Sequence, residues 1–206
     1  MIRSEIRDYV LDRLSIPSSD TTKVTQINNL IGYHYLRLCQ KYKLNRTSTT
    51  ITASAATVTL PTGTTRILSV ANENTPLRNV TDDTYLRYLQ DGTTFADDLP
   101  AVYVREGMTQ IRIYPVPTSS VTLTILHEAR PTALSADGDT PTLIPQEYHM
   151  LLGELTIAQV ALSEEEPGLA AGAKQMALEL ENDLRSMIMN FEGPGPRVIV
   201  RYGYDY

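Results

Sequence analysis

The strongest constraint on this chain is a change of hydrophobic period along it. Near its start apolar side chains return every third or fourth position, at Val24, Ile27, Ile31, Tyr35, Leu38 and Tyr42. That is the period of an α-helix with one face on a core. It predicts a helix from Thr21 or Thr22 to about Leu44. Leu30, Tyr33 and Leu36 lie off the stripe, so this helix is expected to touch neighbours on two sides. A shorter helix over residues 2–14 precedes it, with Ile2, Ile6, Tyr9, Val10 and Leu14 on one face and Pro17 beyond its end.

After Asn45 the period falls to two. Residues 47–59 are rich in threonine and alanine and alternate weakly, and Pro61-Thr62-Gly63 marks a turn before a strand over residues 66–70. Residues 81–90 predict a short helix: Thr81 can cap it, Asp82 and Asp83 suit its positive end, and Gly92 can close it. Residues 101–105 and 110–114 read as a hairpin around Glu106-Gly107, and residues 121–129 as a further strand.

The helical period then returns. Pro145 suits a first helical position. Tyr148, Leu151, Leu152, Leu155, Ala158 and Leu162 form one stripe; Met150, Ile157 and Ala161 form a second. Glu164-Glu165-Glu166-Pro167-Gly168 interrupts the pattern. Leu169, Ala173, Met176, Leu180, Leu184, Met187, Ile188 and Phe191 define a last amphipathic helix. Gly193-Pro194-Gly195-Pro196 ends it. Residues 197–206 alternate, with Val198, Val200, Tyr202, Tyr204 and Tyr206 on one side and Arg197, Arg201 and Asp205 on the other, a strand without a sequence-local partner. The expected fold is α+β, mainly α. Residues 1–46 and 145–192 form a helical bundle, residues 47–144 a β-rich insertion, and residues 193–206 an extended C-terminal docking arm.

Charge and composition narrow the function. Twenty-four acidic against 18 basic residues leave −6, which argues against broad affinity for phosphate. No apolar run is long enough to span a membrane and no signal peptide is apparent. The lone Cys39 excludes an intrachain disulfide and fits synthesis in a reducing cytosol. Twelve tyrosines stand against two phenylalanines and no tryptophan, a bias found at protein interfaces. There is no phosphate-binding glycine loop and no nucleophile elbow. His34, His127 and His149 lack the spacing of a zinc site on one helix. Asp137-Gly138-Asp139 has two of the ligands of a calcium loop and reads as a turn. No metal or cofactor is expected.

One series of segments carries a resemblance. Leu60-Pro-Thr-Gly-Thr-Thr-Arg-Ile-Leu-Ser-Val is followed by Ile111-Arg-Ile-Tyr-Pro-Val-Pro. A strand ending in Ala129-Arg-Pro-Thr-Ala-Leu comes next, then an Asp-rich turn and a Pro-x-x-Tyr-His-x-x-Leu helix start at Pro145. With two helices at either end, this order resembles the head-to-tail adaptor, or head-completion, proteins of tailed bacteriophages. The resemblance implies a non-enzymatic virion protein of the neck, assembled in the host cytoplasm. It implies a twelve-subunit ring beneath the portal protein, in contact with a downstream tail or stopper protein. Viral DNA would pass through its lumen without sequence-specific binding. Twelve copies of a negative chain predict a channel that repels DNA phosphate.

Two other classes stay open at this stage. Glu164, Glu165 and Glu166 could serve a tail-associated cell-wall hydrolase, which needs paired carboxylates. Arg3, Arg7, Arg13, Lys23, Arg37, Lys41, Lys43 and Arg46 could serve a DNA-binding module. Within the adaptor reading, the expected site residues fall in two groups. Arg197, Val198, Val200, Arg201, Tyr202, Tyr204 and Tyr206 would dock on the portal or a neighbour. Met150, Ile157 and Ala161, the extra stripe of their helix, would pack against the next subunit.

Overall fold

The computed structural model describes residues 1–73, 75–92 and 99–191. They form an α+β protein of two compact units. One unit is Met1–Tyr42 with the described residues from Thr132 onward; the other is Lys43–Pro131.

The first unit is helical: α1 (Arg3–Arg13), α2 (Thr21–Lys41), a single 3-10 turn (Gln146–Tyr148), α4 (His149–Ser163) and α5 (Pro167–Phe191). The Asp20 side chain caps α2 by accepting from the Lys23 amide at 3.0 Å. The Arg3 and Ser4 amides of α1 donate to the Asp139 and Asp137 carbonyls, so the Asp137-Gly138-Asp139 segment is a turn seated on a helix start. Helix α4 packs against α1, α2 and α5. It is therefore apolar almost all round, with Leu151, Leu152, Ile157, Val160 and Ala161 all buried. Helix α5 lies on α4 through a narrow stripe of Ala170, Ala173, Ala177 and Leu184.

The second unit contains β1 (Arg46–Ala53), β2 (Thr57–Thr59), β3 (Thr64–Asn72), β4 (Thr75–Pro76), β5 (Arg78–Asn79), α3 (Asp82–Asp91), β6 (Val102–Glu106), β7 (Gln110–Tyr114) and β8 (Val121–Ala129). Its strands form two four-stranded sheets, ordered β1-β8-β3-β4 and β2-β7-β6-β5. Alternation turns Leu123, Ile125, Val70 and Ala53 from one sheet toward Ile111, Ile113, Tyr103 and Val58 from the other, giving one core. Helix α3 starts and stops as its residues predict: Thr81 accepts from the Thr84 amide, and Gly92 adopts left-handed φ 56°.

Several expectations shift. The segment 132–144 belongs to the helical unit instead of the β-rich insertion, because Arg3, Arg7 and the α1 amides hold it there. Pro145 precedes the 3-10 turn, and α4 begins four residues later. Helix α5 starts at Pro167, so the acidic interruption is a tight reversal. The weak alternation of residues 47–59 resolves into β1 and β2. The docking arm over residues 193–206 lies outside the described residues.

Candidate functional site

The residues expected at subunit contacts separate once placed. Ile157 and Ala161 are 0% exposed in the single chain. This corrects their assignment to a neighbouring subunit: α1, α2 and α5 enclose α4, so its second stripe is internal. Met150 is half-buried. The outward apolar side chains of this unit are others, namely Tyr33, Leu162, Met176, Leu178 and Met189. Arg197, Val198, Val200, Arg201, Tyr202, Tyr204 and Tyr206 lie outside the described residues.

The groups screened for chemistry are engaged in holding the chain together. His127, on β8, is buried between Thr49 of β1 and Thr64 of β3, at 3.2 and 3.1 Å. The Thr64 hydroxyl donates to the Pro61 carbonyl, so it accepts from Nδ1–H, and Nε2 accepts from Thr49. His149 is buried, with Nε2 2.8 Å from the Ile144 carbonyl and Nδ1 2.9 Å from the Met1 carbonyl. His34 is buried on α2, and burial, aided by the Arg37 charge, lowers its pKa to about 4. Burial likewise pushes the Cys39 thiol up to about 11, so it stays protonated and unreactive. Among the described residues no group of three or more His, Cys, Asp or Glu could hold a metal. None of their helices is long and apolar enough to cross a membrane.

The carboxylates follow suit. Asp137 is clamped by the guanidinium groups of Arg7 and Arg3, at 2.9 and 3.0 Å, which hold its pKa below the usual carboxylate value. Asp139 accepts from the Ala136 and Ser135 amides, with the same effect. Glu164 and Glu166 line a recess of about 240 Å³ together with Asp20 and Lys23. There Glu164 pairs with Lys23 and Asp20 caps α2, so two of the three carboxylates have structural partners. Inside the helical unit Glu154 is 0% exposed; it accepts from the Tyr9 hydroxyl, whose pKa burial and this carboxylate raise to about 12.

Of the loose basic group at residues 41–46, Lys41 is paired with Glu181 of α5. Lys43 and Arg46 instead sit in the β-rich unit, where strand register gives Arg46 company that spacing could not reveal. Arg46 and Arg66 are both cross-strand partners of Glu128. The Arg130 amide donates to the Gly63 carbonyl at 2.8 Å, and Arg105 Nη2 lies 3.5 Å from the Thr65 carbonyl.

Polar groups committed to tying segments of one chain together are the chemistry of a structural protein. The sequence model of the SU10 adaptor protein family matches residues 1–198, and the chain belongs to that family. It is a phage adaptor with a structural role, not an enzyme. Among curated proteins no match to the chain was found.

Proposed function

We propose that this adaptor forms a twelve-subunit ring beneath the portal, joins the DNA-filled head to the tail, and extends the DNA channel in the virion neck. Family membership over residues 1–198 is the observation that carries this reading. In it the chain assembles in the host cytoplasm, touches the portal above and a tail or stopper protein below, and needs no cofactor. Four helices drawn from both chain ends form a bundle, interrupted by the β-rich unit. Neighbouring subunits meet through the half-buried Met150 and through outward apolar side chains, Tyr33, Leu162, Met176 and Leu178 among them. The C-terminal arm supplies the portal contact: Val198, Val200, Tyr202, Tyr204 and Tyr206 form one apolar side, Arg197 and Arg201 the other. A strand of that pattern gains most by adding to a partner's sheet edge.

Negative-stain imaging of the protein alone and mixed with portal tests the assembly. Rings on the portal are expected, and a monomer indifferent to portal would overturn the reading. A chain truncated after Glu192 tests the arm. It should remain folded and lose portal binding; unchanged affinity would rule the arm out.

A further inference from the structure

We propose that strand β1 pairs edge to edge with β1 of a second copy of this chain, joining two β-rich units through one continuous sheet. Strand β1 is the outer strand of the order β1-β8-β3-β4, and among the described residues it pairs with β8 alone. The Ala129 amide donates to the Asn45 carbonyl at 2.9 Å, which sets the phase of the ladder. The backbone groups of Thr47, Thr49, Ile51 and Ala53 therefore turn toward β8, and those of Ser48, Thr50 and Thr52 turn away from it. Such an outward row is a template for a further strand. The other sheet edges are guarded. On the opposite side of the same sheet, β3 shifts register twice, between Thr64 and Arg66 and between Ile67 and Ser69. Arg105 Nη2 lies 3.5 Å from its Thr65 carbonyl, the Leu77 amide donates to its Val70 carbonyl at 2.8 Å, and β4 contains Pro76. In the second sheet β2 is three residues long and β5 two. Bulges, prolines, short strands and covering groups are the means by which proteins keep edges from pairing. Strand β1 has none of them. It is eight residues long and keeps one register throughout, and its residues 47–53 include no charge, proline or glycine.

The edge is complementary to itself. An antiparallel pair centred on Thr50 sets Thr50 opposite Thr50 of the second copy, and Ser48 opposite Thr52. Each of these pairs exchanges both backbone hydrogen bonds. Ser48, Thr50 and Thr52 are exposed, so hydroxyls meet hydroxyls on the outer face, a favourable cross-strand match. No charge is set opposite its own kind. On the inner face the half-buried Ile51, which packs on the edge of the β core, comes opposite Thr49 and loses exposed surface. The guarded edges of a second copy cannot take this place. A foreign strand would find on β1 neither a charge nor a pocket to select it. The contact has the same patch on both sides and closes on itself. It therefore joins free chains in pairs and is distinct from the ring contact.

Sedimentation equilibrium of the full chain over about 1–100 μM, the range of weak specific pairs, provides the test. A dimer of twice 22.9 kDa is expected. Thr50→Lys sets like charges opposite each other at the centre of the pair and should weaken dimerisation at least about tenfold, with melting unchanged. Thr50→Glu should do the same. An equimolar mixture of the two variants sets opposite charges there and should restore the dimer, which a merely misfolded variant could not do. Thr75→Lys on β4 should change nothing. A monomer throughout the range, a dimer indifferent to Thr50→Lys, or a mixture that stays monomeric would overturn the pairing. Assemblies larger than a dimer whose mass Thr50→Lys leaves unchanged would count against it as well. If the chain is monomeric and Thr50→Lys alone abolishes binding to portal or tail protein, the edge takes a foreign strand and the second copy is ruled out. Ring formation on the portal is imaged separately, so the two readings can fail independently.

Discussion

At the scale of single residues, α1 and α4 approach each other closely at Gly153. A Cβ added at Gly153 would stand 3.0 Å from Tyr9 Cδ1 and 3.2 Å from Cε1. Gly153→Ala gains up to about 1 kcal/mol of helix propensity. Overpacking a close ring contact costs about 1–3 kcal/mol. The expected balance is a lower urea midpoint, and a raised midpoint would mean the ring can swing aside freely. Beside it, Tyr9→Phe leaves a wholly buried Glu154 without its hydroxyl donor. A loss of about 1–3 kcal/mol in urea unfolding is expected.

His34 makes stability depend on pH in a defined window. Its folded pKa is near 4 and its ordinary value 6.5, so the unfolded chain takes up a proton first as pH falls. Stability is then complete above pH 6.5 and declines between 6.5 and 4, by at most about 1.4 kcal/mol per pH unit. Below that the loss is constant for this group. His34→Gln should flatten this limb in denaturant midpoints measured across the window, and an unaltered slope would assign it to another group. Asp137 and Asp139 act lower: their depressed folded pKa values stabilise above the ordinary carboxylate range and stop doing so as pH falls through the folded values.

At the scale of elements, periodicity was a good guide to type and a poor one to surroundings. Stripes with period 3.6 marked all four helices of the first unit, and Thr81 with Gly92 marked both ends of α3. The two stripes of α4 were equally visible, but whether the second meets another subunit or the chain's own α1, α2 and α5 depends on packing, which spacing does not encode. Ile157→Asp is accordingly expected to unfold the subunit, since it places an unpaired charge in a sealed core. Leu178→Asp should leave the far-ultraviolet spectrum and melting of the protein unchanged. A folded Ile157→Asp protein would contradict the burial described for it. The β-rich unit shows the opposite limit. Alternation located its longer strands and left the two-residue β4 and β5 unmarked; register decides which arginines meet Glu128, and Arg66 and Arg130 are far from Arg46 in sequence. The His127 network was equally hidden, since Thr49 and Thr64 come from two other strands.

At the scale of the whole molecule, the chain leaves the helical unit at Tyr42, builds the β-rich unit, and re-enters at Thr132. The two ends of that excursion are neighbours within the β-rich unit. Arg46 pairs with Glu128, and the Ala129 amide donates to the Asn45 carbonyl at 2.9 Å. Such an inserted unit should fold when expressed alone as residues 43–131. A cooperative urea transition for that fragment is expected, and a fragment without one would show that it needs the helices.

The adjacency of those ends has a kinetic consequence. Before the sheets form, α2 and α4 are separated by a flexible loop, residues 42–148, of about 107 residues, whose closure entropy grows as the logarithm of loop length. Once β1 has paired with β8, the loop that remains to be closed is residues 42–45 with 129–148, about twenty-five residues. By the same logarithm the barrier to bringing α2 onto α4 falls by about 1 kcal/mol, a speed-up on the order of tenfold. The strand pair at the neck of the insertion thus sets an order of events, sheet before helix pack. Weakening it with Thr49→Pro should slow the appearance of helix–helix contacts in refolding far more than it hastens their loss in unfolding.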